Sequence, residues 1–287
     1  MSKILVTCSW LLFTSCSFAL TSDALSVPVN RDIYGYAQTI LNNRSVKDIS
    51  PDIFDHPLCQ RDVVDLIIIQ RALIEGKANA SLQFFMIDRE EREEILLQSG
   101  MSIISVDTLW LSQAQTLNDS VFISAPIIRK GEYYAGVYTA EERAETLGQM
   151  IQQDFSQVTV ISNKAWTVDW STIMQLKPKQ LYNESDWTIM ARLVSNKWVD
   201  IMLIPFNNQP PFRYTGKGYK VKAIQGIKVA LQDSRHFVVS KKYQNSQAIF
   251  DALELGIKQL RNTKFIEESY RKCGFLNVLV DKWRKIP

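Results

Sequence analysis

One order of elements occurs twice along the chain and constrains the fold more than any other feature. A helical stretch ends at Gly76 and leads into the strand-like run 81–85. The same order returns where a helical stretch over 187–194 leads through Asn196 into the apolar run 201–204. A helix that ends in a Gly or Asn turn before a short buried strand is typical of parallel α/β layers. The sequence therefore predicts an α/β protein with two lobes.

The last third of the chain predicts more strands and a long helix. Apolar and polar residues alternate over 226–231, and a second strand-like run covers 235–240. The segment 248–260 places Ile249, Leu253, Ile257 and Leu260 on one helical face, which predicts an amphipathic helix. Residues 209–218 contain two prolines and two glycines and predict a turn-rich loop.

The first nineteen residues have the layout of a secretory signal. Lys3 precedes a short apolar run, and small residues follow it. The run is too short and interrupted to span a bilayer. Cleavage after Ala19 and cleavage after Ala24 both fit the pattern, and the sequence does not choose between them. We expect residues 1–19 to be a signal peptide and the mature protein to be periplasmic.

Export changes how the four cysteines are interpreted. Cys8 and Cys16 lie in the signal segment, so the mature chain keeps Cys59 and Cys273. An even number of cysteines in an oxidising compartment allows a disulfide. Two separate buried thiols fit the sequence equally well, so the pairing stays open at this level.

Composition and motifs argue against several function classes. A formal net charge of +3 lacks the basic excess of a dedicated nucleic-acid binder. Only His56 and His236 are available as acid–base histidines, no Ser lies in a GxSxG motif, and no cluster of Cys and His indicates a metal. The acidic run 88–94 alternates with arginines as a solvated helix face does. We expect no catalysis, metal or cofactor.

Several phrases, taken in order, resemble the bacterial extracellular solute-binding proteins of family 3. The phrases are ALIEGKANA (72–80), DREER (88–92), NKWVD (196–200), GIKVAL (226–231), ALELGIKQL (252–260) and IEESYRKCGF (266–275). The resemblance implies a two-lobed fold of the type II periplasmic-binding-protein kind, with a mixed, mostly parallel sheet flanked by helices in each lobe. It places lobe 1 at 20–139 and 224–287, lobe 2 at 140–223, and a ligand cleft between them.

The resemblance also implies two ligand contacts. Arg92 corresponds to the arginine that clamps a ligand carboxylate, and Asp200 to the acid that receives the ligand's amino group. Their structural alternatives are a surface ion pair for Arg92 and a strand-end cap for Asp200. Arg89 and Asn79 depart from the family pattern, which puts an amino-acid ligand in doubt without affecting the fold.

Further ligand contacts follow from where ligands bind in open α/β sheets, beyond the carboxyl ends of strands and near helix N-termini. Ser162 and Asn163 follow a predicted strand and are candidates for a helix N-cap, with Trp166 next to them. Phe84 and Trp110 lie near predicted strand ends and could stack on a ligand. Packing in the lobe core is the alternative for the tryptophans.

These observations predict an exported, monomeric solute-binding protein. We expect it to capture a small polar ligand, amino-acid-like or an organic acid, for the membrane permease of an ABC importer. Two rivals fit the same sequence: a periplasmic ligand-sensing partner of a signalling protein, and a cell-wall-acting enzyme on the same fold.

Overall fold

A computed structural model describes residues 23–87 and 91–286 of the chain. The predicted signal peptide, residues 1–19, lies outside the described residues. The described chain folds into strands and helices that alternate over most of its length. None of the described helices is long and apolar enough to cross a membrane.

The elements are numbered along the chain. The first part contains β1 (Asp23–Asn30), α1 (Arg31–Leu41), α2 (Arg61–Glu75), β2 (Ala80–Ile87), α3 (Glu91–Ser99), β3 (Leu109–Trp110), α4 (Leu111–Thr116), β4 (Val121–Ile123) and β5 (Tyr134–Ala140). The middle part contains α5 (Ala144–Gln153), β6 (Thr159–Ser162), α6 (Thr167–Gln175), β7 (Gln180–Asn183), α7 (Trp187–Ser195), β8 (Ile201–Pro205) and β9 (Arg213–Gly216). The last part contains β10 (Tyr219–Ala230), β11 (Arg235–His236), β12 (Val238–Ser240), α8 (Ser246–Asn262), α9 (Phe265–Cys273) and β13 (Arg284–Ile286).

The first four strands of the chain form small two-stranded sheets, two of them with strands of the last part. Strands β1 and β2 run parallel and pair over eight residues. Two antiparallel pairs, β3 with β11 and β4 with β12, bring the segment after α3 against the segment after β10. Helix α2 is apolar over most of its circumference, as expected of a helix enclosed by its neighbours, and 63–69 are all buried.

A larger sheet contains seven strands, ordered β13-β10-β5-β8-β6-β7, with β9 paired to β10. Strands β6, β7 and β8 run parallel, whereas β5 runs antiparallel to both β8 and β10. The ladder between β5 and β10 shifts register between Ala223 and Lys228, where Gly226 adopts a φ of +83°. Glycine tolerates that conformation, so β10 can bend while staying in the sheet.

Two glycines bring α2 and α8 into close contact. A Cβ added to Gly76 would lie 1.8 Å from the carbonyl oxygen of Ala252, and one added to Gly256 would lie 1.8 Å from that of Ala72. The C-terminal end of α2 therefore packs directly against the backbone in the middle of α8. The apolar stripe of α8 closes this contact, because Leu253 and Ile257 are almost fully buried.

A disulfide joins Cys59 to Cys273 in the structure, with the two Cα atoms 5.4 Å apart. Cys59 lies just before α2, and Cys273 is the last residue of α9. The bond encloses a loop that spans 214 positions of sequence. It therefore connects the beginning of the described fold to its end.

Several sequence expectations are confirmed. The class is α/β with mixed sheets, although antiparallel pairs slightly outnumber parallel ones among the described residues because the two long central strands run antiparallel. Helix α2 ends before Gly76 and α7 before Asn196, and a strand follows each. The predicted helix over 248–260 lies within α8.

The turn-rich loop predicted over 209–218 is only partly right. Residues 209–212 do form a turn, but 213–216 form β9, which pairs with β10 as a hairpin through Lys217 and Gly218. Gly216 ends β9 and Gly218 lies in the turn of the hairpin. Because glycines indicate turns, the sequence pattern did not predict the short edge strand beside them.

Candidate functional site

A cavity of about 250 Å³ opens where β1 and β2 end. Because these strands are parallel, Asn30 and Ile87 lie side by side at their carboxyl ends. Ligands in open α/β sheets bind at this edge. The cavity is lined by Pro28, Val29, Asn30, Asp32, Ile33, Tyr36, Gln60, Asp62, Ile87, Glu93, Val106 and Asp107.

The local sequence explains why polar groups gather at this edge. Asn30 ends β1 and caps α1, because its Oδ1 accepts a hydrogen bond from the N–H of Asp32 at 2.9 Å. Gln60 is the N-cap residue of α2, which places Asp62 in the first turn of that helix. Acidic residues are favoured in first turns, since the N-terminus of a helix carries partial positive charge.

Arg61 connects three acidic residues at and behind the cavity wall. Its guanidinium pairs with the carboxylates of Asp62, Asp65 and Asp107. Asp65 is fully buried and also accepts hydrogen bonds from the N–H and the Oγ1 of Thr108, at 3.0 and 2.7 Å. The hydroxyl of Tyr270, in α9, donates to the other oxygen of Asp65. The network connects α2, the segment before β3 and α9, and so keeps Asp107 at the cavity wall.

Carboxylate oxygens of Asp62, Asp65 and Asp107 lie within 4.8 Å of one another, close enough to share a metal ion. The guanidinium of Arg61 already pairs with all three groups and supplies the positive charge that a metal would bring. Both oxygens of Asp65 accept hydrogen bonds from protein donors, Thr108 on one and Tyr270 on the other. The contacts present therefore satisfy the set as an ion-pair network centred on Arg61.

The ionised form of Asp107 is disfavoured within this network. Burial raises the pKa of Asp107 to about 6, with the neighbouring carboxylate of Asp62 adding to the rise and Arg61 and Arg235 opposing it. A carboxyl whose pKa lies near the working pH is a common property of functional sites. Positive charge brought into the cavity would stabilise its ionised form.

Two titratable groups that do not line the cavity, Asp169 and Tyr219, interact electrostatically with residues on or behind its wall. Burial raises the pKa of Asp169, in α6, to about 6, and Arg235 and Arg61 counteract the shift. Burial also raises the pKa of Tyr219; Arg192 opposes that shift, and Tyr36 on the cavity wall adds to it.

None of the six predicted ligand residues lines the cavity. Arg92 is an exposed residue in the first turn of α3, whereas the next residue, Glu93, is buried and lines the cavity. The helix therefore presents a carboxylate and not a guanidinium to this space, because one residue along a helix turns the side chain by about 100°.

Asp200 is used elsewhere in the structure. Its Oδ2 accepts hydrogen bonds from the N–H and the Oγ1 of Thr159, both at 2.8 Å, and its Oδ1 pairs with Arg143 at 2.7 Å. Thr159 begins β6 and Asp200 precedes β8, so Asp200 lies at the amino ends of these parallel strands. The structure corresponds to the strand-end cap at the amino ends of the strands, whereas open α/β sheets generally bind ligands beyond the carboxyl ends.

The rings of Phe84 and Trp110 pack against neighbouring side chains. Phe84 is half-buried and lies against Tyr34, with ring centroids 5.6 Å apart. Trp110 is 4% exposed, and the guanidinium of Arg235 lies over its ring at 4.0 Å. Neither ring faces the cavity, because side chains in a strand alternate and these positions point into packed layers.

Ser162 and Trp166 differ from the predicted N-cap arrangement. Ser162 is the last residue of β6 and is buried, and α6 begins only at Thr167 with Trp166 at the N-cap position. Asn163 instead closes a turn, its Oδ1 accepting from the N–H of Ala165 at 2.9 Å. Trp166 is half-buried and packs against the apolar cluster around Tyr138 and Met190. Four residues separate the strand from the helix, so neither polar residue reaches the helix end.

Sequence reasoning missed the residues that do line the cavity. The alternating apolar run of 25–29 ends at Asn30 and a helix follows, which is the signal that could have located this edge. Asp62 and Asp107 carry no such signal, because long-range packing brings them to the edge.

Comparison with known proteins gives the fold. No protein-family model and no curated protein sequence matches the chain. The chain is similar in structure to the probable amino-acid ABC transporter extracellular-binding protein YtmK of Bacillus subtilis, with a TM-score of 0.57 and 11% identity over 88% of this chain and 98% of that one. The chain has the two-lobed fold of periplasmic binding proteins.

Two further solved structures share this fold. An amino acid ABC transporter substrate-binding protein of Streptococcus pneumoniae, bound to L-arginine, has a TM-score of 0.52 and 14% identity over 73% of this chain and 82% of that one. The periplasmic VFT2 domain of BvgS from Bordetella pertussis has a TM-score of 0.51 and 13% identity over 86% of this chain and 92% of that one. Structural similarity at sequence identities this low supports a shared fold but does not identify a ligand.

Proposed function

We propose that the protein is an exported solute-binding protein that holds a small polar molecule in the cavity at the ends of β1 and β2. One observation carries the proposal: a cavity lined by both polar and apolar groups lies at the strand edge where this fold class binds its ligands. The contacts proposed here are the residues that line this cavity, and the six residues predicted from the sequence are not among them.

The lobe boundaries predicted at 139/140 and 223/224 belong to this proposal. They fall on β5 and β10, the two central strands that pair with each other. All residues that line the cavity belong to the proposed lobe 1. Two extended strands that cross between lobes can bend together, and a hinge motion of this kind would bring lobe 2 over the cavity. The register shift near Gly226 supports a bend at that point.

Delivery to the permease of an ABC importer is the first role we propose for the bound solute. It is supported by the names of two structural neighbours, YtmK and the S. pneumoniae protein, which are both ABC transporter binding proteins. A ligand sensor for a signalling protein is the second candidate, and the BvgS domain favours it. A monomer in the periplasm fits both roles.

The position of Ala24 within β1 helps to choose between the two signal-peptide cleavage sites. Ala24 pairs with Ser81 as the second residue of β1, so cleavage after Ala24 would remove the start of that strand. Cleavage after Ala19 leaves β1 whole. We therefore propose the earlier site, which N-terminal sequencing or intact mass of the exported protein would test.

A thermal-shift screen of the mature protein tests the binding proposal. A ligand at one hundred times its Kd stabilises the native state by about 2.7 kcal/mol, which gives a clear rise in Tm. The screen would use amino acids, organic acids and amines, because solute binding at this cavity is proposed for any small polar ligand.

A pair of tryptophan variants in α1 locates the site. Ile33→Trp fills the cavity from its wall and should abolish the ligand-induced shift, whereas Gln38→Trp, at an exposed position of the same helix, should retain it. Equal shifts in both variants would show that the ligand binds elsewhere, and the absence of any shift across the screen would contradict the proposal.

A further inference from the structure

The walls of the cavity carry charge of one sign. Asp32, Asp62, Glu93 and Asp107 line it, and no Lys, Arg or His stands among the lining residues of the described chain. The overall protein has a slight positive excess, so this local concentration of carboxylates is not a reflection of composition. An inference about the solute of this cavity rests on the proposed function, because it assumes that the cavity is where a solute binds.

Positive charge near the cavity does not cancel that of the carboxylates. Arg61 and Arg235 lie behind the wall, where the guanidinium of Arg61 pairs with Asp62, Asp107 and the buried Asp65, and Arg235 also interacts with Asp107. These two positive charges are fewer than the five carboxylates of Asp32, Asp62, Asp65, Glu93 and Asp107. The N-termini of α1 and α2 contribute about half a unit charge each, and the first-turn N–H of Asp32 is already capped by Asn30. The cavity therefore keeps a negative potential and disfavours an anion.

The walls also suit the apolar part of an organic cation. Val29, Ile33 and Ile87 supply apolar surface, and Tyr36 supplies an aromatic ring that can face an ammonium group. The amides of Asn30 and Gln60 stand among these groups. A divalent metal prefers a shell made wholly of oxygen ligands and gains nothing from such walls.

We propose that the solute bound in this cavity is a small organic ammonium cation, held by the carboxylates of Asp32, Asp62 and Asp107 and by the apolar walls between them. A volume of about 250 Å³ is below the usual range for ligand sites, so the cation is small. An organic acid, the other ligand class that the sequence allowed, lacks a cationic partner for its carboxylate in these walls.

Acidification should weaken binding through Asp107. The charged groups near it are Arg61, Asp62 and Asp65 of α2 and Arg235 of β11, and Asp32 and Glu93 line the same cavity. Burial raises the pKa of Asp107 to about 6, with Asp62 adding to the rise, so the carboxyl loses its charge as the pH falls through that value. Affinity for a cation should therefore be lower at pH 5 than at pH 7.5.

Isothermal titration calorimetry of the mature protein with 1,4-diaminobutane, succinate, L-glutamate and CaCl₂ tests the proposal. We expect the diamine to bind and the two anions not to bind. Asp62→Asn should weaken the diamine by about ten- to hundredfold, as for loss of a hydrogen bond to a charged group. Raising the salt concentration should weaken it as well.

Asp32→Asn is the variant that keeps the test independent of folding, because Asp32 is exposed on α1. It should also weaken the diamine. Asp119→Asn removes the same charge from an exposed turn that does not line the cavity, and it should leave affinity unchanged.

The outcomes separate this inference from the proposed function. Binding of succinate or glutamate in preference to the diamine would overturn the cation assignment while leaving solute binding intact. Binding of Ca²⁺ alone would replace the organic cation by a metal. If Asp32→Asn, Asp62→Asn and a change of pH all left the affinity for the diamine unchanged, the diamine would bind outside this cavity. The absence of binding by every probe, together with a negative thermal-shift screen, would remove the proposed function and this inference with it.

Discussion

The disulfide between Cys59 and Cys273 should stabilise the protein strongly because of its position in the chain. The bond spans 214 positions, so it removes a very large loop from the conformations open to the unfolded chain. The chain-entropy relation for a loop of that length yields about 5 kcal/mol at 25 °C. The native contacts around the bond are independent of it, because Tyr270 of α9 also donates to Asp65 of α2.

We therefore expect the double variant Cys59→Ala/Cys273→Ala to keep the native fold and to lose up to about 5 kcal/mol of unfolding free energy. Urea denaturation followed by tryptophan fluorescence measures the loss, and circular dichroism checks the fold. Wild-type protein kept reduced is the matched control, since it lacks the bond but retains both sulfurs. The two should unfold at the same urea concentration.

Thiol titration of the unreduced, denatured wild type decides whether the bond forms at all. We expect no free thiol in the mature protein. Two free thiols would refute the pairing, and a double variant within about 1 kcal/mol of the oxidised wild type would refute the loop-entropy argument even if the bond is present.

Further substitutions test how the fold is held together. Gly256→Ala should lower the free energy of unfolding by about 1–3 kcal/mol in urea denaturation, because its Cβ would clash with the backbone of α2. Gly35→Ala has open space around it in α1 and should raise the free energy of unfolding by up to about 1 kcal/mol. Equal effects of the two substitutions would contradict the close contact between the helices. Tyr270→Phe should cost about 1.5–3 kcal/mol by removing a donor from the buried Asp65, and an unchanged unfolding midpoint would show that the bond contributes nothing. Burial raises the pKa of Asp200, but hydrogen bonds from Thr159 and Arg143 outweigh this and hold it below its ordinary value; its stabilisation is therefore present at neutral pH and lost as pH falls below about 4. Asp200→Asn should be less stable at pH 7 and lose less on acidification than wild type, with ligand affinity unchanged, and a loss of affinity would restore Asp200 to the site.

Local sequence patterns predicted the order of elements well. The apolar stripe of α8, the helix stop before Gly76 and the strand after Asn196 each depend on residues within a few positions of one another. Hydrophobic periodicity and turn residues act over that same range, so they could be recognised without the structure. Edge strand β9 escaped because its flanking glycines gave a stronger turn signal than its four residues gave a strand signal.

The candidate site could not be located in the same way. Arg92 and Asp200 were selected by phrase order, yet one residue of helical rotation separates Arg92 from the cavity-lining Glu93, and Asp200 lies at the amino end of its strand. The sequence did not show in which direction each strand runs in its sheet or which side of each helix is turned towards the cavity. Both are set by what the element packs against and not by the residues within it.

The sequence by itself determined an α/β chain with a two-lobed arrangement of helices and strands, because apolar periodicity and turn chemistry are local properties. Only the tertiary structure decided which side chains share a space. Asn30, Asp62 and Asp107 come from separate segments and meet because parallel strands end at one edge and Arg61 holds the neighbouring acids there. The same is true of Cys59 and Cys273, whose pairing depends on how α2 packs against α9.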